Sequence, residues 1–195
     1  TEGCPGSGKR PYISLSSSNS PDTRRAQACA HVAVNVAGDL ERACESFRKA
    51  ADCEPDDYQS VLLQGQLYVS LGRPEQVTRV LEEGVARAER SLERHPDDYR
   101  ALNLGALGLL QLGQQEKAKA WMQQSLQNAP RDPVIEYNAA CFYALANDTD
   151  AALRSPERCK AMGALEDDWW QYDSHLDALR ELPEFRAIVG QTVSS

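Results

Sequence analysis

The sequence predicts an all-α fold, a solenoid of about four antiparallel helix pairs closed by a C-terminal helical cap. Helix-ending punctuation recurs along the chain at a near-constant interval, and the apolar residues between the marks keep helical spacing rather than strict alternation. Composition agrees, because only 7% of residues are aromatic while Ala, Leu, Gln, Glu and Arg are abundant. A strand-rich fold would draw more on Val, Ile, Thr and aromatic residues.

Residues 1–22 are rich in Gly, Ser and Pro and lack periodicity, so they read as a flexible leader. Within it, Gly3 to Gly8-Lys9 is spaced like a phosphate-binding loop. That loop needs Ser or Thr where Arg10 stands and a strand before Gly3, so the stretch is read as leader.

The solenoid is assigned to residues 23–162, with units at about 23–57, 58–98, 99–132 and 133–162. Ala37-Gly38, Leu71-Gly72, Leu112-Gly113 and Ala146-Asn147 mark the end of each first helix, at intervals of 34, 41 and 34 residues. Gly and Asn suit that place because they accept the left-handed conformation of a C-cap. The second helices end at Pro55, Pro96 and Pro130, since proline cannot continue a helix. The acidic residues that follow each proline suit the N-terminus of the next helix.

Each marker carries the same retinue. Seven residues before it stand His31, Gly65, Ala106 and Ala140, and five after it Ala43, Val77, Ala118 and Ala152, where small side chains let two helices approach. Four before stand Val34, Tyr68, Leu109 and Tyr143, and nine after stand Phe47, Leu81, Met122 and, out of pattern, Pro156. Pro156 is therefore expected to break or restart the last second helix. The longer interval adds seven residues, nearly two helical turns, which keeps the apolar face in register. Val77, Val80, Leu81, Val85, Ala88 and Leu92 maintain that face, so one long helix is expected from Pro74 to Arg94.

Residues 163–191 supply Trp169, Trp170 and Tyr172, then Leu176, Leu179, Leu182, Phe185, Ile188 and Val189, enough apolar surface to cover the open end of a solenoid.

This pattern resembles the tetratricopeptide repeat (TPR), a helix–turn–helix unit of 34 residues. The resemblance implies a right-handed solenoid whose first helices line a concave groove. Asp173 to Phe185, following Tyr137-Asn-Ala-Ala-Cys141, is similar to the end-of-group element of bacterial TPR arrays. That similarity implies a parent protein of the signalling kind, joined to a cyclase, kinase or transcription-regulator domain. The groove geometry of the family selects Gln59, Leu62, Gln66 and Ser70 in the second unit, Arg100, Asn103, Leu107 and Gln111 in the third, and Tyr137 and Cys141 in the fourth. The clamp by which some family members hold acidic chaperone tails is missing, because Ala28 and Val32 occupy its places in the first unit.

Charge and composition narrow the partners. With 29 acidic against 21 basic residues the chain carries −8, which repels phosphate backbones and anionic membranes. No apolar stretch approaches the roughly 20 residues of a membrane span, and none near the N-terminus suits a secretory signal. The six cysteines form no C-x-x-C pair. Most fall at helical core positions, so reduced thiols in a cytoplasmic protein are expected. His31, His95 and His175 are isolated in sequence, and no Cys/His/Asp set shows nucleophile or metal spacing. Asp173, Asp177 and the run Glu166-Asp167-Asp168 lack the alternation of a calcium loop and read as a solvated acidic segment. No cofactor, metal or catalysis is expected. The expected function is a protein-protein interaction module holding a peptide or partner domain in the groove, with a regulatory, self-associating arm of a larger signalling protein as the alternative.

Overall fold

The computed structural model describes residues 37–165, 170 and 173–190, the side chains of 37–39 and 174 excepted. The expected leader, the first helix of the first unit, His31, Trp169, Tyr172 and the Glu166-Asp167-Asp168 run lie outside the described residues. Nine helices occur within them: α1 (Ala37–Cys53), α2 (Tyr58–Ser70), α3 (Pro74–Arg94), α4 (Tyr99–Gln111), α5 (Gln115–Asn128), α6 (Pro133–Leu145), α7 (Thr149–Ala161), α8 (Asp177–Arg180) and α9 (Pro183–Val189). A 3-10 turn, Ser174–Leu176, precedes α8. No strand occurs among the described residues, and no helix there is long and apolar enough to cross a membrane.

Local chemistry places the boundaries. Asp57, Asp98, Asp132 and Asp148 each cap a helix, accepting from the backbone N–H of Ser60, Ala101, Val134 and Ala151 at 2.9–3.1 Å. Gly72 and Gly113 take φ of 64° and 77°, and Asn147 takes 56°. Beyond each, an N–H reaches back to the last turn: Arg73 to the Tyr68 carbonyl, Gln114 to Leu109 and Asp148 to Tyr143. These are the doubled C-terminal bonds that a left-handed residue permits. The first marker behaves differently, because Ala37 and Gly38 are themselves helical and lie within α1.

Consecutive helices pack as antiparallel pairs, α2 with α3, α4 with α5 and α6 with α7, and α1 lies against α2. First helices also touch one another, α2 with α4 and α4 with α6, and so form a layer of their own. One apolar core runs from Tyr58 through all three pairs to Val189. Two small satellites, one of Leu40, Cys44 and Leu67 and one of Ala51, Val61 and Val80, hold α1. Gly65 sits where α2 meets α3, and a Cβ there would lie 2.3 Å from Leu81 Cδ2.

The seven extra residues form helix, as expected: α3 spans 21 residues, against 14 and 13 for the other full second helices. Its length carries Arg87 to the α1–α2 turn, where the guanidinium donates to the carbonyls of Ala51, Glu54 and Asp57 at 3.1–3.4 Å. α9 packs on α7, and the 3-10 turn packs on α6.

Two expectations are corrected. α7 runs unbroken through Ser155 and Pro156. Pro156 forfeits one backbone bond and strains the preceding turn, yet it lies buried on the face where Leu81 and Met122 sit in the other units, and packing outweighs the local penalty. Cys53 is disulfide-bonded, while Cys44, Cys141 and Cys159 are thiols. Disulfide formation depends on proximity in space, which the spacing of cysteines along the chain does not report.

Candidate functional site

The selected residues all stand on the first helices, which give them unequal access to solvent. Ser70 and Gln111 are exposed, and Gln59, Gln66 and Arg100 are half-buried. Arg100 holds its guanidinium 5.7 Å from the centre of the Tyr99 ring. Leu62, Leu107, Tyr137 and Cys141 are buried in the main core.

Asn103 is also fully buried. Its Nδ2 donates to Met122 Sδ at 3.5 Å, and its Oδ1 accepts from Asn138 Nδ2 at 2.7 Å. It bridges α4, α5 and α6, so removing its amide would leave the Asn138 amide without its acceptor.

Gln66, Leu107, Gln111 and Cys141 come together in one narrow cleft, joined by Val69, Asn138, Leu145 and His175. The cleft crosses α2, α4 and α6, with the C-terminal segment at its end. Gln66 Nε2 is buried there without a hydrogen-bond partner.

The C-terminal segment does more than cover the solenoid end. Trp170 meets Tyr137 edge to face, with ring centres 5.2 Å apart, and Asp173 enters fully buried beside them. Asp173 Oδ2 accepts from Tyr137 Oη and from Cys141 Sγ, the latter at 3.2 Å. Asp173 Oδ1 accepts from the His175 N–H at 2.9 Å and lies 3.4 Å from His175 Nδ1. Arg180 donates to the Asp173 carbonyl.

Asp173 is thus a buried acceptor at the centre of a network, not the solvated acidic residue that its sequence neighbours suggest. Burial, reinforced by the nearby Asp173 carboxylate, pushes the Cys141 thiol well above its ordinary value. The Tyr137 phenol is raised too, first by burial and then by Cys141 and Asp173. Both groups are held protonated as donors.

Cys141, Asp173 and His175 also place three metal-ligating atoms within 4.8 Å of one another. Sequence spacing did not announce this set, because Cys141 and Asp173 are 32 residues apart and belong to different packing units. Asn138 was equally hidden. It stands beside Tyr137 in sequence, and only the approach of α4 to α6 makes it part of the cleft.

Three stacked helix pairs, capped alike, with first helices contiguous along one side, are the arrangement that the repeat pattern implied. The fold is TPR-like. No family model matches the chain, and no curated protein does. Among solved structures the chain is similar to a crystal structure of MamA, with 12% identity, TM-score 0.42, and coverage of 89% of this chain and 93% of that one. It is also similar to YrrB, described as a TPR protein with an unusual peptide-binding site, with 14% identity, TM-score 0.41, and coverage of 80% and 77%. A MamA RS-1 ArsTM double mutant shows 16% identity, TM-score 0.43, and coverage of 89% and 96%. The fold assignment rests on the helices themselves.

Proposed function

We propose that the chain is a non-catalytic interaction module that holds a peptide or partner domain along the face built by α2, α4 and α6. The supporting observation is that this face is preformed. Gln59, Gln66 and Ser70 of α2, Arg100 and Gln111 of α4, and Asn138 of α6 stand on contiguous helices, with apolar Val69, Leu107 and Leu145 between them at the cleft.

A rigid face lowers the ordering cost of association, so affinity arises without chemistry. Polar amides and one guanidinium suit the backbone of an extended peptide, and the net charge of −8 disfavours nucleic acid and anionic lipid. The ligand would run from α2 toward α6 and end against His175.

Affinity capture with the purified chain, repeated with an Arg100→Ala/Gln111→Ala variant, tests the reading. Partners retained by the parent chain should be lost by the variant while helix content and melting temperature stay unchanged. Equal retention by both proteins would place binding on another surface.

A further inference from the structure

We propose that Cys141, Asp173 and His175 form a site for a single divalent metal ion of the zinc class, seated where the C-terminal turn meets the end of the cleft. The thiol sulfur, a carboxylate oxygen and an imidazole nitrogen all lie within 4.8 Å of one another. Zinc bonds of about 2.0–2.3 Å place neighbouring tetrahedral donors roughly 3.5 Å apart. Closure therefore asks for a shift of about 1 Å, and His175, on a short turn, is the ligand best placed to make it. Sulfur with nitrogen and oxygen is a borderline-soft donor set that selects zinc, or cobalt as its spectroscopic substitute, over calcium or magnesium.

The surroundings fit an ion. Asp173 is fully buried and Cys141 almost so, at 0% and 3% exposure, so the ligands sit in a low-dielectric pocket. Tyr137 donates to Asp173 Oδ2 and Arg180 to its backbone carbonyl, which orients the carboxylate as outer-shell partners do at metal sites. The cleft that Cys141 and His175 line also holds the Gln66 amide, whose Nε2 is buried without a hydrogen-bond partner.

Binding exchanges one proton. The Cys141 thiol, which now donates to Asp173, releases its hydrogen to solvent as the metal–sulfur bond forms, while Tyr137 keeps its own. The ion would then pin the 173–176 turn to α6 and fix the end of the interaction face.

The test uses the full chain, freed of metal by a chelator and titrated with Zn²⁺ by calorimetry and with Co²⁺ by absorption. The expected result is one equivalent bound, a thiolate-to-cobalt charge-transfer band, and a melting temperature that rises with Zn²⁺ concentration. Cys141→Ala and His175→Ala should each abolish saturable binding, and Tyr137→Phe should weaken it about 10–100-fold. Cys44→Ala should leave it intact. The proposal is overturned if the parent chain binds neither ion, or if binding persists in both ligand variants, which would move the metal to other cysteines. Should Cys141→Ala fail to fold, His175→Ala decides alone, because its side chain is on a partly exposed turn.

Discussion

The meeting of Gly65 on α2 with Leu81 on α3 gives a sharp test of the packing. A Cβ added at Gly65 would lie 2.3 Å from Leu81 Cδ2 and 2.8 Å from Leu81 Cγ, and Leu81 is fully buried. Two effects oppose each other in Gly65→Ala. Alanine gains about 1 kcal/mol over glycine in a helix interior, whereas forcing a methyl into a filled core costs about 1–3 kcal/mol. The net loss should be about 0–2 kcal/mol, too wide a range to be decisive alone. The decisive measurement is the cycle with Leu81→Ala. Alone, that change empties a buried site at about 2–5 kcal/mol. When Gly65→Ala is combined with it, the vacated space accepts the new methyl, so the clash disappears and the helix gain returns. The double variant should therefore be more stable than the sum of the singles by about 1–3 kcal/mol, as befits residues in direct contact. Urea unfolding followed by circular dichroism reads all four proteins, with a constant denaturant slope as the control. Additivity within about 0.5 kcal/mol would show that α2 and α3 do not meet at this point and would sink the argument.

Other outcomes follow from the same geometry. Ala118, fully buried between α4 and α5, should cost about 1–3 kcal/mol as Ala118→Leu, read as a lower melting temperature; a neutral result would mean the site has room. Asp98 accepts from the Ala101 N–H, Tyr58 Oη and Ser91 Oγ, so Asp98→Ala should remove a cap and strand two hydroxyls at about 2–4 kcal/mol. A loss below about 1 kcal/mol would contradict that network. Burial, partly offset by Arg73, raises the Cys44 thiol from 9.0 to about 11. A folded-state value above the unfolded one contributes stability that is complete below pH 9 and lost as pH rises to about 11, at up to about 1.4 kcal/mol per pH unit. Cys44→Ala should flatten the urea midpoint over that window, and an unaltered profile would reject the assignment. Alkylation of denatured, unreduced protein should label Cys44, Cys141 and Cys159 and spare Cys53; label at Cys53 would deny its disulfide.

The sequence by itself determined the helices from Tyr58 to Leu145, with their ends and their order. These depend on neighbours within one or two turns: aspartate before a first turn, glycine or asparagine after a last one, and apolar residues at helical spacing. It also specified that seven added residues would lengthen α3, because near-integral turns preserve a face. Tertiary structure alone decided what those helices do to one another. Pro156 remains helical because its burial against the rest of the molecule outweighs a local penalty, and Asn103 leaves the surface because α5 and α6 close over it. The meeting of Tyr137, Cys141, Asp173 and His175 depends on residues distant in the chain becoming neighbours. No local pattern encodes such proximity; it arises only when the stacked pairs and the returning C-terminal turn enclose a common space.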